Sequence, residues 1–343
     1  MLYAGAEDGR SDVSGMERTA DKMSKVHIIM YHYVRDLKNS RYPNIKGLDY
    51  ELFKQQIGFL KERFTIVTME DVIEAWNSDG AMLPENAALL TFDDGYIDNF
   101  TTVFPVLNAY KVQGSFFIPG KSFAENVLLD VNKVHFILAS ADIHVLEKDV
   151  FVLLDRYRKE EPDMDIPSNE ELLEKYAVAG RYDNKETVFI KRILQTGIPE
   201  RIRKQISSEL FRAYVGVPED KFARELYMNR DQIRCMKREG MFIGVHGYDH
   251  YWLGNLSEQE MQADIDKALE VMDEFIDKDN WVLNYPYGSH NPNVLQYIET
   301  KGCKAGMTVE VAVADTDRYG RYELPRLNCN DFPPKSENYL TIR

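Results

Sequence analysis

Cysteine is scarce: Cys235, Cys303 and Cys329 are the only three among 343 residues. An odd number without CxxC spacing excludes a disulfide framework and a thiolate zinc site, so the three read as reduced, buried thiols. Long apolar runs are missing as well. No stretch approaches the ~18–20 continuous apolar residues of a membrane span, and residues 1–22 lack the apolar region of a secretory signal. Those leading residues read as an extension without structure or a cloning remnant, and a cytoplasmic location follows as the default. Basic residues are in deficit, with 42 Lys+Arg against 56 Asp+Glu and a formal net charge of −14. Such a surface repels polyanions, which argues against nucleic acid or anionic membrane as the main partner and leaves a small neutral or cationic substrate open.

What is present suffices for a core: 44% of residues are hydrophobic and 29% charged, a balance no disordered chain has. The length suits one large α/β domain with additions, or two ordinary domains. Strand-like runs alternate with amphipathic helical patterns, the signature of a parallel α/β sheet or barrel. Strands are expected at Val26–Val34, Phe64–Met69, Ala87–Phe92, Gly114–Ile118, Met241–Val245, Trp281–Tyr285 and Lys304–Val309. Helices are expected between them, among them Tyr50–Arg63 with Phe53, Ile57 and Leu60 on one face, Glu70–Trp76, Asn99–Tyr110, Asp231–Glu239, a helix capped by Ser257 and Glu260, and Asn293–Lys301. Seven strands predict a distorted, slightly incomplete (β/α)7 barrel. The rhythm breaks over residues 121–228, which hold helical stretches but no buried strand, far beyond the ~2–6 residues of a usual βα connection. The expected organisation is therefore a barrel in two pieces, 23–120 and 229–343, around a helical insertion.

In parallel α/β folds the active site gathers where strands end and βα loops converge. Four expected strands end in polar residues of one kind: His32, Asp93-Asp94, His246 with His250, and Asn284 close to Tyr287. Two imidazoles four residues apart reach one metal if their segment is a tight loop, with a carboxylate from another strand completing the set. The plainer alternative is a pair of unrelated loop histidines. Adjacent aspartates point in different directions, so one can ligate a cation while the other accepts a proton; a bare Asp-Asp-Gly is otherwise a common turn. His27 reads as a packing histidine. His135 and His144 lie in the insertion without a partner motif. Tyr248, Tyr251, Trp252, Tyr285 and Tyr287 are candidates for stacking on sugar faces, some of them for ordinary packing.

Together these strings resemble the polysaccharide deacetylase superfamily, the NodB-homology or carbohydrate esterase family 4 type. Thr91-Phe92-Asp93-Asp94-Gly95 is similar to its first motif, His246…His250 to its second, and Tyr285-Pro286-Tyr287-Gly288 to its third, over residues 26–120 and 229–330. The resemblance implies that Asp93 is the general base and that Asp94, His246 and His250 ligate one divalent metal, zinc first, with nickel, cobalt or iron as alternatives. It also implies that the backbone N–H of Tyr287 helps hold the oxyanion.

Two departures stand out. The Leu-x-His motif that supplies a general acid in many members is missing after Gly288, where His290 is the only later histidine. The run Ile29-Met30-Tyr31-His32-Tyr33-Val34 instead resembles the start of the circularly permuted branch, which includes exopolysaccharide N-deacetylases, and this makes His32 the acid. Asn284 stands where many members carry an arginine that orients the base, and Arg326 is the candidate replacement. The implied function is metal-dependent N-deacetylation of an amino sugar in a surface polysaccharide or its precursor. Alternatives are a relative hydrolysing another small or cyclic amide and an inactive glycan-binding protein. The insertion is expected to flank the cleft as a lid or to serve dimerisation, with the oligomeric state left open.

Overall fold

The computed structural model describes residues 24–78 and 81–343. Among them, six strands lie side by side in chain order: β1 (Lys25–Tyr31), β2 (Ala87–Phe92), β3 (Ser115–Ile118), β4 (Phe242–Val245), β5 (Val282–Asn284) and β6 (Ala305–Met307). Each neighbouring pair is parallel. Their near-continuous apolar sequences follow from burial on both faces. Val26, Ile28, Ala87 and Leu89 share a core with the helix Met69–Asn77. The alternate residues Ile29, Tyr31, Ala88 and Leu90 pack with helices Tyr50–Arg63 and Glu258–Met272 on the other face.

The result is the expected α/β barrel class, a curled and mostly parallel sheet, with local corrections. The strand expected at Phe64–Met69 shrinks to Thr65–Ile66, because it pairs only with Ala87–Ala88 of β2 while β3 takes the far half of the same edge at Thr91–Phe92. Strand β1 stops at Tyr31, and Val34–Arg35 pairs separately with Leu48–Asp49. The helix expected from Asn99 opens as a wider turn over Asn99–Val103 before the regular helix Phe104–Tyr110. Cys303 and Cys329 are buried as expected, whereas Cys235 is only partly covered; all three are free.

The gap between β6 and β1 is bridged late in the chain. Leu324 pairs with the outer edge of β6 around Met307, its N–H donating to Gly306 O at 2.9 Å and its carbonyl accepting from Thr308 N–H at 2.9 Å. Three residues on, Leu327–Asn328 pairs in parallel with Ile29–Met30 of β1. Arg326 is thereby held between the two sheet edges.

Between β3 and β4 the chain is helical, with Asp130–Ser140, Ile143–Glu160 and Glu200–Tyr214 the longest elements. Ser168 and Glu171 form the capping box read from sequence at the start of Asn169–Tyr176. These helices surround an apolar cluster that includes Val134, Ile137, Leu154, Phe189, Ile206 and Phe211, and loop residues Tyr33, Ile45 and Tyr96 pack into it. None of the described helices is long and apolar enough to cross a membrane.

Candidate active site

Asp93 and Asp94 directly follow β2, and their two carboxylates are held in different settings. Asp93 is 2% exposed and makes two parallel hydrogen bonds with Arg326, from Nη1 to Oδ1 and from Nη2 to Oδ2, each 2.9 Å. Arg326 is itself anchored by Nε donating to Thr308 O at 2.9 Å and is 1% exposed. The fork matches the carboxylate plane, which makes this a strong and directional pair. Burial alone would raise the Asp93 carboxyl; the Arg326 guanidinium, helped by His32, outweighs it and holds the group below the usual carboxylate range. His32 follows the last residue of β1, its Nε2 3.7 Å from Asp93 Oδ2, and its side chain is 36% exposed where that of Asp93 is 2%. An imidazole beside the carboxylate and partly exposed can reach a bound molecule.

Asp94 takes a left-handed backbone with φ 73° and Gly95 follows at φ 66°. A Cβ on Gly95 would lie 2.7 Å from Ile118 Cγ2, so both the turn and the closeness of β3 require glycine there. The turn aims Asp94 Oδ1 at two imidazoles, 3.4 Å from His246 Nε2 and 3.2 Å from His250 Nε2. His246 closes β4, and its Nδ1 donates to the Asn284 carbonyl at 2.7 Å, which leaves Nε2 with its lone pair toward the carboxylate. His250 reaches the same point through a left-handed residue of its own, φ 58°. The loop between the rings is held by Asp264, whose carboxylate accepts Tyr248 N–H at 2.9 Å and Asp249 N–H at 2.8 Å.

Lone pairs that face one another need something positive between them. Either the rings carry extra protons or a cation sits among the three atoms. Burial pushes the His250 imidazole down, against its partner carboxylate, and so opposes the first choice. Asp94 Oδ1 and His250 Nδ1 are buried without a hydrogen-bond partner among the described residues. Ligands ~2.0–2.1 Å from a tetrahedral ion stand roughly 3.3 Å apart, the separation seen from the carboxylate oxygen to each ring. Asp94, His246 and His250 fit a small divalent cation with positions left open.

The third motif lies beside His250. Tyr287 adopts φ 59°, ψ 10° within the turn Pro286–Gly288, and its ring meets His250 edge-on at 4.8 Å. Trp252 stacks on Tyr287 at 4.5 Å and 9°, and the Arg192 guanidinium lies 5.2 Å from the Trp252 ring. Of the aromatic candidates, Tyr248 and Tyr285 are buried and serve packing, whereas Tyr251, Trp252 and Tyr287 line the cleft beside His250. A cleft of about 250 Å³ adjoins His250 and Tyr287, and its far wall comes from the helical segment through Leu129, Leu194, Glu200 and Arg203.

Residues 81–306, roughly two thirds of the chain, match the sequence profile described as Polysaccharide deacetylase. The chain belongs to the polysaccharide deacetylase family. It is accordingly a hydrolase of carbon–nitrogen bonds other than peptide bonds. Similar sequences include YxkH of Bacillus subtilis (strain 168), provisionally named a polysaccharide deacetylase, 20% identical over 93% of this chain and 76% of that protein. The poly-beta-1,6-N-acetyl-D-glucosamine N-deacetylase of Escherichia coli (strain K12) is 34% identical over 85 residues, 24% of this chain and 12% of that protein. Among solved structures, the Streptococcus pyogenes deacetylase PplD in complex with acetate aligns with a TM-score of 0.54 at 17% identity, covering 93% of this chain and 97% of PplD. IcaB from Ammonifex degensii aligns at 0.51 and 17%, covering 89% and 91%. Both share the fold.

Other residues fall outside the cluster or entered it unread. Asn284 is buried with its side-chain amide unpartnered among the described residues, and Arg326 rather than Asn284 meets Asp93. His290 hydrogen-bonds Gly288 O at 3.0 Å and lies 3.3 Å from Glu323. Asp264 escaped the sequence reading, although its place three residues after Met261 on the inward face of a helix signalled a buried carboxylate. His135 also proves to be connected, its Nδ1 3.2 Å from Tyr33 Oη.

Proposed function

We propose that this protein removes acetyl groups from N-acetylated amino sugars in a surface polysaccharide or its precursor, with one divalent cation held by Asp94, His246 and His250. The observation that carries the reading is the convergence of three strand ends. An unpartnered carboxylate oxygen faces two imidazole nitrogens, beside a second carboxylate clamped by arginine and adjoining a partly exposed histidine. Zinc is the first choice for a two-nitrogen, one-oxygen set, although other first-row cations accept the same donors. Such a cation would polarise the acetamide carbonyl and acidify the attacking water.

The remaining chemistry belongs to the chain's own groups. Asp93, kept ionised by Arg326, takes the proton of the attacking water. His32 donates a proton to the nitrogen as the C–N bond breaks, yielding acetate and an amine. The backbone N–H of Tyr287 supports the oxygen on which negative charge gathers. The helical insertion, residues 121–228, flanks the cleft as its far wall and selects the length of glycan admitted.

The relatives named for polysaccharide deacetylation support this substrate class. Purified protein stripped by chelator and reloaded with single divalent metals should release acetate from chitooligosaccharides or β-1,6-linked N-acetylglucosamine fragments only when reloaded. Asp94→Asn should abolish release. Equal turnover in the stripped and loaded forms would sink the reading.

A further inference from the structure

The carboxylate of Asp94 has a second oxygen, and its bonding is not explained by the cluster of motifs. Oδ2 accepts the hydroxyl hydrogen of Tyr96. Tyr96 is fully buried and stacks between Tyr33, at 4.0 Å and 16°, and Tyr227, at 6.3 Å and 10°. Behind these rings sits Asn132, 0% exposed, on the helix Asp130–Ser140 of the segment between β3 and β4. Its amide donates to Tyr96 Oη at 2.7 Å and to Tyr33 Oη at 3.2 Å, and its carbonyl accepts the hydroxyl of Tyr227. Tyr227 Oη in turn accepts Leu129 N–H at 3.1 Å.

Donor accounting gives this network one direction. An amide has two N–H donors and one carbonyl, and both N–H groups of Asn132 end on phenol oxygens. Each phenol must then turn its own hydrogen away from Asn132. Tyr96 turns toward Asp94, and Tyr33 toward His135 Nδ1. Burial holds His135 down at about 3, so its ring stays neutral and can accept from Tyr33. The arrangement matters because the terminal torsion of a carboxylate is broad and roughly two-fold, so covalent geometry does not decide which oxygen points where.

We infer that Tyr96 and Asn132 are positioning residues: the helical insertion reaches through them to fix Oδ2 of Asp94, leaving Oδ1 as the oxygen presented to His246, His250 and a cation. This rests on the reading of Asp94, His246 and His250 as a cation site. It gives the insertion a role in assembling the site in addition to walling the cleft. Outer partners of this kind typically alter metal affinity ~10–100-fold when removed.

The test compares wild type with Tyr96→Phe, Asn132→Leu and Tyr33→Phe, titrating zinc against a chelating dye and recording the visible spectrum of bound cobalt. Tyr96→Phe and Asn132→Leu should weaken zinc binding ~10–100-fold and alter the cobalt bands. Tyr33→Phe removes the branch to His135 and the longer of the two acceptors of Asn132 but leaves the Asn132–Tyr96–Asp94 chain intact, and should stay close to wild type. Thermal unfolding in excess chelator shows whether each variant folds, and Tyr96→Phe, which deletes one oxygen, keeps the test decisive if Asn132→Leu does not fold. Zinc affinity and cobalt bands unchanged in Tyr96→Phe would overturn the inference, as would an equal loss in Tyr33→Phe. A wild-type protein that binds neither ion would overturn the cation site itself, and the relay with it.

Discussion

Replacing Arg326 by leucine isolates the force that keeps Asp93 ionised. Both groups are at most 2% exposed and share two 2.9 Å hydrogen bonds, so the substitution strands a buried carboxylate. Breaking such a pair by removing one partner costs ~3–5 kcal/mol. The stranded group escapes part of that cost by taking up a proton. If about half of it appears in the proton equilibrium, then at roughly 1.4 kcal/mol per unit the Asp93 pKa rises by ~1–2 units. The sign is fixed by the native balance, in which burial raises the carboxyl and the guanidinium brings it down. As the base proposed above, Asp93 works only when deprotonated, so the acid limb of the pH–rate profile for acetate release should move toward higher pH by that amount. The rest of the cost should appear as a lower unfolding temperature. Arg326→Lys restores the charge without the fork and should fall between. The measurement is kcat against pH on zinc-loaded enzyme, with thermal unfolding in parallel. An acid limb unmoved in Arg326→Leu, in a protein that binds zinc normally, would refute the orienting role.

Three further outcomes follow from the geometry. Asp264→Ala leaves the Tyr248 and Asp249 N–H groups without their acceptor and should cost ~1–3 kcal/mol of stability, with weaker zinc binding because the loop between His246 and His250 loosens; unchanged binding by calorimetry would count against that support. Gly95→Ala places a Cβ 2.7 Å from Ile118 Cγ2 at φ 66° and should destabilise by more than ~1 kcal/mol, read by denaturant unfolding; a neutral effect would show that the turn relaxes freely. Arg203→Ala, on the far wall of the cleft, should raise KM for longer oligosaccharides while leaving kcat and zinc affinity near wild type, whereas an equal effect on every chain length would argue against length selection.

The sequence was most legible where chemistry coincides with local periodicity. The apolar runs of β2, β4 and β5 end at Asp93, His246 and Asn284, and a parallel sheet delivers such ends to one rim whatever the details of packing. Capping was equally plain: Ser257 with Glu260 and Ser168 with Glu171 act over three residues, within reach of pattern alone. The short strand Thr65–Ile66 was overread because its apolar sequence carries no record that β3 competes for the same edge.

Residue types and their order were thus determined by the sequence alone: two carboxylates, two histidines four apart, and an earlier histidine just past the first strand. Tertiary structure decided which atoms meet. Arg326 reaches Asp93 across 233 positions because Leu324–Asn328 spans the gap between β6 and β1. Asn132 reaches Tyr96 across 36 because the helical segment packs its apolar face over the Tyr33 and Tyr96 rings. The single oxygen of Asp94 left facing two imidazoles depends on a left-handed turn and a phenol hydrogen. Periodicity reports only which face of an element is buried; hydrogen-bond direction between distant residues is set by packing, and no local pattern encodes it.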